Sequence, residues 1–118
     1  MKATFNLHCR LVSLTNSREH HMAKARRAKQ QRGDAKKATL AELDRANTDR
    51  PWLITITRLG KRKLDDDNLA SSAKHIRDGI ADALGIDDGD ERLRWRYAQD
   101  TPLPYGVRVE MIGGGDGN

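Results

Sequence analysis

The chain has 118 residues and a mass of 13.3 kDa, enough for one hydrophobic core in one domain and too little for two. A hydrophobic fraction of 36%, a charged fraction of 33% and a mean hydropathy of −0.82 describe a polar surface around a modest core. No run approaches the ~18 apolar residues of a membrane-spanning helix. Residues 1–12 are broken by Asn6, His8 and Arg10, so they lack the apolar stretch of a secretory signal. The single cysteine, Cys9, excludes an intramolecular disulfide, and a reducing cytoplasm is the expected location. The net charge of +5 is unevenly spread. Residues 65–91 hold nine acids against two bases, a net of −7 that leaves +12 for the remainder. A basic body with one concentrated acidic segment suits a polyanion-binding protein that also holds a cation.

In chain order, Phe5, Leu7, Cys9 and Leu11 alternate with Asn6, His8 and Arg10, the period of a half-buried strand. Residues 13–17 read as a turn. Residues 17–45, rich in Ala, Lys, Arg, Gln and Glu, predict a long helix that Gly33 and Asp34 divide. Trp52, Ile54 and Ile56 form one face of a second strand, ended by Leu59 and Gly60. A second helix follows, with Leu69, Ala73, Ile76, Ile80 and Ala83 or Leu84 as its apolar stripe and Gly85 as its stop. Leu93, Trp95 and Tyr97 alternate with Arg92, Arg94 and Arg96 in a third strand. Val107, Val109 and Met111 mark a fourth. The order β-α-β-α-β-β predicts an α+β fold: a single domain over residues 1–112, with a small mixed sheet of about four strands packed with two main helices. Residues 113–118 read as a flexible Gly-rich tail.

The strongest local signal is Asp65-x-Asp67-Asn68, which follows the basic run Lys61, Arg62, Lys63 and opens the second helix. In an extended chain, Asp65 and Asp67 point the same way, and two close carboxylates call for a proton or a cation between them. Mg²⁺, held by one or two carboxylates with water and substrate phosphates, fits. The plainer alternative makes Asp67 a helix cap. Asp87, Asp88 and Asp90 form a second acidic cluster, which a straight helix of residues 69–84 sets about 22 Å from the first. Lys74, near the same helical face as Asp67, reads either as a phosphate-side cation or as an i,i+4 partner of Asp78.

Between residues 18 and 37 the first helix carries Arg18, Lys24, Arg26, Arg27, Lys29, Arg32, Lys36 and Lys37 against Glu19 and Asp34, a phosphate-contacting surface or a solvated face. The arginines of the third strand extend that footprint. The histidines and Cys9 lack zinc spacing, and neither a phosphate-binding Gly-rich loop nor a serine nucleophile elbow is present. No nucleotide cofactor is therefore expected.

Arg62, Asp65-Asp66-Asp67-Asn68-Leu69, Lys74, the run from Arg77 to Leu84 and then Asp87-Asp88 together resemble the RusA-type Holliday-junction resolvases, above all their phage and prophage branch. The resemblance covers residues 58–97, and the turn around Asn16 is similar to the family's Ser/Asn-rich turn. It implies a homodimeric, Mg²⁺-dependent endonuclease, with Mn²⁺ as a substitute metal, that makes paired nicks in branched double-stranded DNA inside a bacterial or phage-infected cell. It carries the metal-site aspartates onto Asp65, Asp67 and Asp88, with Asp87 or Asp90 as alternates for the third, and the catalytic lysine onto Lys74. Asn16, Arg18, Lys24, Arg26, Arg27, Lys29, Arg32, Lys61, Arg62 and Lys63 become the DNA-contacting set. In the family the lysine follows the second aspartate by four residues, where this chain has Ser71, so Lys74 matches with about one turn inserted.

Overall fold

Period-two patterning builds the strands. The structure, a computed structural model, describes residues 2–12, 21–46 and 51–113. Strand β1 (Lys2–Leu7) buries Ala3 and Phe5 and exposes Lys2, Thr4 and Asn6. The long helix α1 (His21–Ala46) leads to β2 (Pro51–Leu59), which buries Ile54 and Ile56. Helices α2 (Asp66–Ser72) and α3 (Lys74–Leu84) precede β3 (Arg94–Asp100) and β4 (Gly106–Gly113), and β4 buries Val107, Val109 and Met111. The sheet order is β1-β4-β2-β3. β4 runs antiparallel to both neighbours and β3 parallel to β2. This is the small mixed-sheet α+β domain that the patterning predicts.

Register aligns the strands' core-facing residues in rows. Phe5, Val109, Ile56 and Tyr97 form one, and Ala3, Met111, Ile54 and Trp95 the next. A third row, Leu7, Val107, Arg58 and Gln99, ends the face with two polar side chains. Ile76, Ile80 and Leu84 of α3, and Ala35 of α1, close the same core. The parallel β2–β3 pair needs a crossover connection, which α2 and α3 supply.

Three expectations change. β1 ends at Leu7 rather than Leu11; the chain leaves the sheet there, although Leu11 still reaches the core. Gly33 does not divide α1, because it sits on the exposed face opposite the buried stripe Gln31, Ala35 and Thr39. There it costs only about 1 kcal/mol of propensity. The second helix is instead split at Ala73, so the domain has three helices rather than two. The hydroxyls of Ser71 and Ser72 donate to the carbonyls of Asn68 and Leu69 three residues back, competing with the helical ladder. The apolar stripe crosses the break intact, with Leu84 rather than Ala83 as its buried end, and Gly85 stops α3 in the left-handed conformation (φ 71°).

Helices α1 and α3 cross in close contact. A Cβ added to Gly79 would lie 2.2 Å from the Arg32 carbonyl and 2.9 Å from the Ala35 Cβ, so only glycine admits this approach. The turn at residues 13–17, the first residues of the expected helix and the tail beyond Gly113 lie outside the described residues.

Candidate functional site

Asp65 is the N-cap of α2. Its backbone is extended, and its Oδ1 accepts the Asn68 N–H at 3.0 Å. The cap is thus Asp65, not Asp67. Because the helix begins at Asp66, strand alternation does not set Asp65 and Asp67 on one side. Asp67 is exposed on the first turn. Ala70 and Ser71 lie three and four residues on, so Asp67 shares their face of α2.

That face leads into an open cleft of about 440 Å³ lined by Ala70, Ser71, Lys74, Arg77, Asp88 and Tyr97. The split at Ala73 removes the argument that Lys74 extends a continuous helix from Asp67, yet Lys74 and Ser71 line the same space. Among the described residues Asp78 forms no ion pair with Lys74.

Asp88 reaches the cleft because the loop after α3 folds back onto β3. Its carbonyl accepts the Trp95 indole N–H at 2.8 Å and the Arg77 Nη2 at 3.0 Å. Arg77 also donates from Nη1 to the Tyr97 hydroxyl at 2.7 Å and lies over the Trp95 ring, 4.7 Å from its centre. Its Nε is 2.9 Å from Asp88 Oδ2 but off the N–H direction, so that contact is one of charge and the buried N–H has no acceptor. This fold-back sets Asp88 on the cleft that Ser71 and Lys74 also line. Asp87 and Asp90 are committed elsewhere. Asp87 Oδ1 accepts the Gly89 N–H, and Asp90 forms a two-pronged pair with Arg92 at 2.9 and 3.0 Å. Of the three alternates, Asp88 lines the cleft.

Gln99, next on the same β3 face, holds both backbone groups of Leu64 and so fixes the residue before Asp65 against that strand. β3 is an edge strand. Among the described residues, no three His, Cys, Asp or Glu side chains are gathered as a metal site. Asp65 and Asp67 do not line the cleft, so the three expected carboxylates are not brought together; Asp88 is the one carboxylate on its lining, and a cation held there would take that carboxylate and complete its shell with water and phosphate.

The basic surface divides. Arg26, Lys29 and Lys37 line a shallow groove of about 450 Å³ on the outer face of α1, with Gln30, Gly33 and Asp34. Lys24 and Arg27 are half-buried. Arg32 is drawn into a two-pronged pair with Asp82 at 2.6 and 2.9 Å, which raises its pKa and lowers that of Asp82, and it braces α1 against α3. Lys61, Arg62 and Lys63 are exposed, as are Arg94 and Arg96 on β3. Asn16 and Arg18 lie outside the described residues.

Sequence reasoning missed Arg77, Trp95, Tyr97 and Gln99. Their signal was present: Arg77 follows Lys74 by one helical turn, and the three β3 residues alternate, each with a polar tip on an otherwise apolar face. No helix among the described residues is long and apolar enough to cross a membrane. The chain matches no protein-family model, no curated protein and no solved structure.

Proposed function

We propose that the chain is a Mg²⁺-dependent endonuclease that cuts branched double-stranded DNA, four-way junctions above all, as a homodimer. The observation that carries this reading is the meeting of Lys74 and Asp88 in one open cleft whose α2 wall bears Asp67 one turn away. Asp88 would hold the cation at the cleft, with Asp67 and the capping Asp65 turning in from α2 to complete the set, and the bound cation would lower the pKa of a coordinated water and offset charge on the scissile phosphate. Lys74 would set its ammonium beside that phosphate and stabilise the extra negative charge of the transition state. Arg77 would keep Asp88 at the cleft through the Asp88 carbonyl. The open cleft over an edge strand leaves room for a polymer to pass, and junction selectivity would come from shape and backbone contacts. Paired nicks in a two-fold junction call for a C2 dimer.

The test is a nicking assay on an end-labelled four-way junction, a flap and a linear duplex at one salt concentration. Mg²⁺ supports paired nicks in the junction and EDTA abolishes them. Asp67→Asn loses cleavage and keeps junction binding, because the basic surface is untouched. If Mg²⁺ and Mn²⁺ both fail to support cleavage of any branched DNA, the chain is a binding protein and the proposal falls.

A further inference from the structure

All four strand ends meet at one end of the sheet, where Leu7, Gly106, Leu59 and Asp100 lie side by side. Arg10 follows β1, Tyr105 precedes β4, and Arg58 with Lys61, Arg62 and Lys63 closes β2. Gly60 binds the Asp100 carbonyl through its N–H and the Leu103 N–H through its carbonyl, which ties these connections together.

Arg58 is the unusual member. It lies on the core face of the sheet, is only 5% exposed, and packs across Gly60, where a Cβ would meet its Nη1 at 2.9 Å. Its Nε donates to the Leu11 carbonyl and its Nη1 to the Arg62 carbonyl at 2.6 Å. Those bonds engage two of its five donors and leave its charge unneutralised, since no carboxylate among the described residues pairs with it. Burying a charge in that state is costly. Burial pushes its pKa down, and the neighbouring Arg10 charge acts in the same direction. Arg10 is exposed and stacks on the Tyr105 ring, 4.2 Å from its centre, and the ring is itself 38% exposed. A stacked guanidinium keeps its N–H edge for a planar or tetrahedral anion.

We infer that Arg10 and Tyr105, beside the buried Arg58, form a second contact for a DNA strand, in which the Arg10 guanidinium faces a backbone phosphate, Arg58 adds its charge from within and the tyrosine offers a flat surface to a base or sugar. The site rests on the reading that the substrate is DNA. The charge match supports it: two arginines with no carboxylate partner among the described residues, next to three exposed basic residues, one of which, Arg62, Arg58 holds by its carbonyl. The same segment continues through Leu64 to Asp65, so a strand bound here lies on the chain path that leads into the cleft. Aromatic and arginine surfaces of this kind bind nucleic acid with little sequence preference.

The experiment measures binding rather than cleavage. Fluorescence anisotropy of a labelled four-way junction is recorded in EDTA across a salt series. Arg10→Gln is expected to make the logarithmic salt dependence shallower by about one. Tyr105→Ala is expected to weaken binding about fivefold or more, and Tyr105→Phe to retain wild-type affinity. Both residues are exposed, so neither variant endangers the fold, and a thermal melt verifies this. Wild-type affinity and slope in both Arg10→Gln and Tyr105→Ala overturn the inference. Because no metal is present, the two readings separate. A protein that binds through Arg10 but never cuts keeps this site and loses the nuclease, while one that cuts with unchanged binding in both variants does the reverse.

Discussion

Gln99 holds Leu64 by both of its backbone groups: Oε1 accepts the Leu64 N–H at 2.9 Å and Nε2 donates to the Leu64 carbonyl at 2.7 Å. One side chain thereby does what a partner strand would do, and it fixes the start of α2 against edge strand β3. Asp65 begins its cap from that anchored position. Gln99→Ala removes both bonds and is expected to destabilise the domain by about 1–3 kcal/mol, measured by urea unfolding. Gln99→Glu keeps the acceptor, loses the donor and sets a carboxylate against the Leu64 carbonyl, so it does not recover the loss. If Gln99→Ala unfolds at the wild-type midpoint, the anchor has no energetic weight.

The α1–α3 crossing gives a sharper expectation. Gly79→Ala places a methyl against the Arg32 backbone carbonyl at 2.2 Å, and backbone cannot rotate out of the way as a side chain can. Overpacking of a core ordinarily costs about 1–3 kcal/mol, and this variant should fall at the top of that range or beyond. Gly33→Ala, with open space around it on the same helix, should instead stabilise by about 0.5–1 kcal/mol. Thermal melts of the two variants shift in opposite directions; equal shifts would contradict the close crossing.

Arg77 joins three elements, and its removal should be felt as a unit. Arg77→Met leaves the Tyr97 hydroxyl without its donor and the Asp88 carbonyl with the Trp95 indole alone, at a cost of roughly 1–3 kcal/mol. Lysine cannot restore the fork, since two planar N–H groups serve different acceptors here. Pairing Arg77→Met with Tyr97→Phe in a double-mutant cycle should give a coupling of about 1 kcal/mol. Additive losses would mean that the 2.7 Å contact contributes nothing.

Much of the fold was legible because strands declare themselves by alternation. Of the rows Phe5, Val109, Ile56, Tyr97 and Ala3, Met111, Ile54, Trp95, every member but Ala3 is a residue that the period-two reading selects. The break at Ala73 was not legible from hydrophobicity, since Leu69, Ala73 and Ile76 keep their spacing across it. Its cause, two adjacent serines turned back on their own helix, is a local hydrogen-bonding effect that a stripe of apolar positions does not register. The cleft was half-legible. The family resemblance singles out Lys74 and Asp88, whereas Arg77 and Gln99, though regularly spaced, act on backbone groups, a role that side-chain spacing does not reveal. Arg58 was hidden for a related reason: in sequence it looks like the polar end of a strand, and only the register shows it on the core face.

Lys74 offers a division between binding and chemistry. It lines the cleft as one cation on a protein whose remaining basic surface lies mostly elsewhere. Lys74→Met should therefore reduce junction cleavage by about 10²–10³-fold, the loss typical of one transition-state charge partner. It should lower the salt slope of binding by no more than about one. Measured together, a large binding loss with unchanged turnover would assign Lys74 to substrate docking instead.

The acidic loop supplies a pH signature. Asp90 accepts the Arg92 backbone N–H and both prongs of the Arg92 guanidinium, which hold its carboxyl at a pKa of about 2, below the ordinary 3.8. A depressed folded-state value means that the unfolded chain binds the proton more tightly. The pair's stabilising contribution is therefore complete above about pH 4 and fades as pH falls toward 2. Since both groups are solvent-exposed, the effect on global unfolding is small and the local titration is the proper readout. The Asp90 carboxyl carbon, followed by NMR, should titrate near 2 in the wild type and return to the ordinary carboxylate range in Arg92→Gln. A wild-type midpoint close to 4 would show that Arg92 does not hold Asp90, and with it would go the reason for setting Asp90 aside from the cleft in favour of Asp88.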